Sequence, residues 1–110
     1  MMKLALSPAA AGLLRALLAR GGIDRDRIWL TEFRSTDWQS LTFVGERHRM
    51  QLRVPGPDAD LLVARLVDNL ADADFSIPGQ IVADIALEQP PITNLDGSIM
   101  VMIEALTIAE

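Results

Sequence analysis

Apolar residues recur along this chain first with the period of a helix and then with the period of a strand. Leu13, Leu14, Leu17 and Leu18 share one helical face. Ser7 is placed to cap that helix, and Pro8 suits its first position, where a missing N–H costs nothing. Gly21-Gly22 supplies the left-handed stop.

Ile28 to Arg34, rich in β-branched and aromatic residues, reads as a strand. A polar turn around Ser35–Asp37 follows. Trp38 to Val44 and Arg47 to Val54 then read as a hairpin about Gly45-Glu46, a two-residue turn with glycine leading. That register sets Val44 opposite Arg47, Phe43 opposite His48, Thr42 opposite Arg49, Leu41 opposite Met50 and Trp38 opposite Arg53. Side chains alternate faces along a strand. One face therefore collects Leu41, Phe43, His48, Met50, Leu52 and Val54. The other collects Trp38, Ser40, Thr42, Val44, Arg47, Arg49, Gln51 and Arg53. Nothing sets the register of the strand from Ile28, so Trp29 and Phe33 have no assigned face.

Pro55-Gly56-Pro57 ends the strand and opens a second helix. Asp58 and Asp60 sit in its first turn, where the helix dipole favours negative charge, and Leu62, Val63, Leu66, Val67 and Leu70 form its core stripe. After Ser76-Ile77-Pro78-Gly79, Gln80 to Glu88 alternates with Ile81, Ala83, Ile85 and Leu87 on one face. Pro90 to Gly97 reads as a loop. The last strand, about Ile99 to Ile108, is apolar on both faces: Ile99, Val101, Ile103 and Ala105 on one, Met100, Met102, Leu106 and Ile108 on the other. Such a strand belongs in the middle of a sheet and calls for cover on its second face as well.

The order α-β-β-β-α-β-β gives an α+β class: a mostly antiparallel five-stranded sheet with both helices packed on one face. A chain of 110 residues fits one domain spanning 1–110. Half its residues are hydrophobic, which argues for a packed core rather than disorder and hints at apolar surface covered by a partner. The start, Met-Met-Lys-Leu-Ala-Leu, has the look of a signal-peptide front, but Pro8 and Arg15 interrupt the apolar run. The expectation is a cytoplasmic protein with no membrane segment.

Charge changes the picture most. Net charge is −5, split as +4 over residues 1–55 and −9 over residues 56–110. An acidic chain is repelled by phosphate at long range, which disfavours nucleic acid as a partner. There is no cysteine and one histidine, so thiolate chemistry, disulfides and iron–sulfur clusters are excluded, and neither a metal site nor a cofactor is expected.

Candidate chemistry is sparse. Trp38, Arg47, Arg49 and Arg53 share a face and could hold a phosphate or carboxylate, or a single nucleic-acid strand. The bland alternative is a solvated face whose arginines pair with the surplus carboxylates. His48 is the only candidate for a general base; on the apolar face it reads as a structural histidine instead, leaving no assigned catalytic residue. Asp24/Asp26, Asp58/Asp60 and Asp72/Asp74 form Asp-x-Asp pairs. Asp68 and Asp72 would repel four apart on the second helix, an acidic cluster that could meet arginines of another molecule. Phosphate-loop, dinucleotide, zincin and nucleophile-elbow motifs are absent. The leading expectation is a non-enzymatic module that self-associates as a homodimer through Met100, Met102, Leu106 and Ile108. The alternative is a protein or enzyme that takes a small anion on the arginine face.

Overall fold

The computed structural model describes residues 6–110, so the signal-like start at Met1–Ala5 lies outside the described residues. Helix α1 spans Pro8–Gly21, and the Ser7 hydroxyl accepts from the amide of Ala10 at 3.1 Å. Gly22 ends the helix with φ 64°, a left-handed conformation that costs glycine nothing. Both ends match the sequence expectation.

The strands before the second helix differ from expectation. Two long ones replace three short ones: β1, Trp29–Gln39, and β2, Val44–Val54. The turn between them is at Ser40–Phe43, not at Gly45-Glu46. Ser40 closes it, its amide donating to the carbonyl of Phe43 and its hydroxyl accepting from the Phe43 amide. Leu41 and Phe43 therefore leave the core face; Leu41 is fully exposed and Phe43 half exposed. The alternation within β2 is unaffected by this shift, and His48, Met50, Leu52 and Val54 are all buried.

Helix α2 spans Ala59–Val67 and buries Leu62, Val63 and Leu66. It stops earlier than its apolar stripe suggests. Asn69 takes a left-handed conformation and starts a 3-10 turn at Leu70–Asp72. Asp68 and Asp72 therefore do not share a helix, and the four-residue helical spacing expected between them is not present. The C-terminal carbonyls of α2 meet Arg20 of α1, which donates to the Leu66 carbonyl at 3.2 Å and to that of Asp68. A cation there also suits the helix dipole.

Strand β3 spans Gln80–Leu87, β4 is the pair Ile92–Thr93, and β5 spans Ile99–Ala109. All pairings are antiparallel, in the order β1-β2-β5-β3, with β4 beside β3 on the same flank of β5. This is the five-stranded α+β architecture expected, with β5 in the middle. A bulge between Val82 and Asp84 sets Ile81 opposite Ile108 but Ile85 opposite Ala105. Ile81 thus points away from Ile85 and Leu87, because one extra residue flips the alternation.

One face of the sheet presents Met50, Leu52, Val54, Ile99, Val101 and Ile103 to leucines of both helices in a single buried cluster. That cluster also holds Ile28 at the foot of β1. Arg27 beside it pairs with Asp58 ahead of α2, and this guanidinium hydrogen bond keeps the Asp58 carboxyl below its ordinary pKa.

Candidate functional site: the open face of the sheet

Directly opposed residues of antiparallel strands share a face, so the register lists what lies opposite the helices. Trp29, Arg53, Met100 and Ile92 form one row across the sheet. Arg34, Arg49, Glu104 and Ala86 form another, and Thr36, Arg47, Leu106 and Asp84 the next. Trp38, Gly45, Ile108 and Ile81 close the far end. Among the described residues, no helix packs on this side.

Apolar groups on this face are incompletely covered. Trp29 is 53% exposed, Ile81 51% and Ile92 47%. Met100, Met102 and Ile108 are half-buried, and Leu106 is buried. Both tryptophans of the chain lie here, one at each end of β1.

The arginines divide into two kinds. Arg49 donates to both oxygens of Glu88, one at 3.3 Å, and lies 3.9 Å from Glu104. Arg53 pairs with Asp96 and donates to the Ser98 hydroxyl at 3.1 Å. Ser98 also donates to Asp96, and these hydrogen bonds hold the Asp96 carboxyl below its ordinary pKa. Arg34 and Arg47, by contrast, have no carboxylate within ion-pair distance among the described residues. With Thr36, Arg49 and Glu104 they line a depression of about 240 Å³. Arg34 directly opposes Arg49, a like-charge pair that costs the sheet some stability.

Of the residues singled out in the sequence, Arg47, Arg49, Arg53, Met100, Met102, Leu106 and Ile108 share this face. Trp38 shares it too but lies opposite Gly45; the tryptophan beside Arg53 is Trp29, whose ring lies 5.4 Å below the guanidinium. An exposed contact of that kind contributes about 0.5–1 kcal/mol. Arg34, Thr36, Ile81 and Ile92 were not singled out. Arg34 and Thr36 required the register of β1, Ile81 required the bulge, and Ile92 lies in a segment read as loop.

His48 lies on the other side, buried. Its Nδ1 is 2.6 Å from the Ser35 hydroxyl and its Nε2 2.8 Å from that of Thr107. A serine beside a histidine is the contact of an activated nucleophile. The orienting position, however, holds a hydroxyl, which cannot stabilise an imidazolium as a carboxylate would. Thr107 is buried as well. The arrangement satisfies a neutral ring from both sides, as a structural histidine requires. Burial pushes the His48 pKa below its ordinary value, against a smaller upward pull from Glu46.

A depressed histidine pKa means the unfolded chain takes up its proton first as pH falls. The His48 contribution is complete above about pH 6.5 and is lost as pH drops from there through the folded pKa. The urea midpoint should therefore be lower at pH 5.5 than at pH 7.5. A His48→Gln variant should show much less of that difference; an equal difference in both proteins would assign it to other groups.

Among the described residues, no cluster of three metal-ligating side chains occurs, and no helix is long and apolar enough to cross a membrane. Comparison with protein-family models, curated protein sequences and solved structures finds no match for the chain.

Proposed function

We propose that this chain is a non-catalytic interaction module that pairs with a second copy of itself through the open face of its sheet. One observation carries the reading. A four-strand-wide face bearing Trp29, Ile81, Ile92 and the methionines of β5 has no layer over it among the described residues. Sheets bury an apolar face against another element, and closed two-fold dimers are the commonest way to supply one. At strand spacings of ~4.8 Å and ~3.3 Å rise per residue, the face offers roughly 600–700 Å² per copy. Stable interfaces bury about 800 Å² per partner, so the area is of the right size.

Sedimentation equilibrium tests the reading. A species of twice the 12.0 kDa chain mass is expected at micromolar concentration. A strict 12.0 kDa monomer at several hundred micromolar would overturn it.

A second reading rests on Arg34 and Arg47, which stand beside Arg49 and have no ion-paired carboxylate among the described residues. Guanidinium groups so placed suit an oxyanion such as phosphate or a carboxylate. If the chain is monomeric and inorganic phosphate raises its thermal midpoint, this reading displaces the first.

A further inference from the structure

The charge on the open face is zoned by strand. On β1 and β2 it carries Arg34, Arg47, Arg49 and Arg53, with Glu32 as the one carboxylate. On β5 and β3 it carries Glu104 and Asp84, with Glu88 following β3. The strand order puts two strands in each zone, so the boundary runs between β2 and β5.

Resting on the self-pairing reading, the geometry points to a specific dimer: two open faces stacked about a two-fold axis parallel to the strands, above the β2–β5 boundary. That operation lays β1 and β2 of one copy over β3 and β5 of the other and turns each row onto itself. Arg49 then lies over the partner's Glu104. Thr36 lies over the partner's Asp84, with Arg34 and Arg47 flanking that carboxylate from the neighbouring positions. The two arginines without intramolecular acids therefore gain one.

The same operation matches the exposed apolar groups. Trp29 and Ile92 sit at opposite ends of one row, and each meets the other's counterpart in the partner. Trp38 and Ile81, at opposite ends of another row, do the same. A two-fold axis running across the strands would instead lay each strand over its own counterpart, basic β1 and β2 over the partner's β1 and β2 and acidic β5 and β3 over the partner's β5 and β3. Like charges at the centre of an interface are strongly disfavoured, so the charge zoning selects the first axis. Stacked sheets sit ~10 Å apart, within reach of arginine and glutamate side chains extended toward each other.

Two charge-reversed variants test the arrangement. Arg34→Glu/Arg47→Glu and Asp84→Arg should each sediment as monomers at concentrations where the wild type is dimeric. Mixed one to one, they should form a heterodimer, because every reversed contact is then complementary. Circular dichroism checks that both fold. Homodimers from either variant as tight as wild type, or two folded variants that stay apart when mixed, would overturn this arrangement while leaving self-pairing intact. A monomeric wild type would instead remove the underlying reading.

If a reversed variant fails to fold, crosslinking keeps the test open, since the chain has no cysteine of its own. Thr36→Cys mixed with Asp84→Cys should join through a short bis-maleimide, whereas each alone should not. Crosslinking of either variant alone, without the mixture, would refute the axis.

Discussion

Leu52→Ala is expected to lower the unfolding free energy by about 2–5 kcal/mol, the range for deleting a fully buried leucine side chain. Leu52 is completely buried on β2, between Leu30 of β1 and Val101 of β5. It lies beneath the α1 and α2 leucines, so the truncated site cannot fill from solvent. The two neighbouring strands are held by their own ladders, so it cannot readily collapse either. A thermal midpoint lower by on the order of 10 °C or more follows for a domain of this size. A loss below about 1 kcal/mol would contradict the placement of Leu52 at the centre of the core.

Gly45→Ala is expected to cost about 1–3 kcal/mol, an overpacking penalty with a local signature. A Cβ on Gly45 would collide with the carbonyl oxygen of Thr107 and come within 3.0 Å of its carbonyl carbon. Both are backbone atoms of β5, which cannot rotate away as a side chain can. The strand must move instead, and hydrogen exchange should quicken at residues 44–46 and 107–108 before it does elsewhere. Wild-type stability in this variant would mean that β2 and β5 do not approach so closely there. The prediction also separates the two roles available to this glycine: a hairpin-turn glycine would tolerate alanine according to its own φ and ψ, not according to β5.

That glycine shows where the sequence could be read and where it could not. Glycine followed by a polar residue between two alternating runs is the local signal of a tight turn. The same glycine is also what a close strand approach demands, and only the position of β5 distinguishes the two. Tertiary contact prevailed, the turn moved to Ser40–Phe43, and Trp38 shifted from Arg53 to Gly45. By contrast, helix α1 was legible residue by residue, because Ser7, Pro8 and Gly22 act through local backbone chemistry. The faces of β2 were legible as well, since alternation over Arg47–Val54 does not depend on the turn that precedes it.

The open face was legible in part. The doubly apolar character of β5 placed it centrally and flagged Met100, Met102, Leu106 and Ile108. Its basic half was incomplete without Arg34, which needed the pairing of β1 with β2. Its apolar edges were missed because the bulge after Val82 turned Ile81 over, and because Ile92 pairs with Met100 from within a proline-bounded loop. Each omission is a long-range pairing, the kind of information a single strand's pattern does not carry.

If a second copy covers this face, the chain carries its own reporters of the contact. Its two tryptophans, Trp29 and Trp38, both lie on the face, and Trp29 is half exposed. Tryptophan emission followed over a dilution series therefore reads the interface directly. A shift to longer wavelength is expected on dilution, with the same midpoint as the fall in sedimenting mass. Emission that stays constant while the mass halves would place the contact on another surface and contradict pairing through this face.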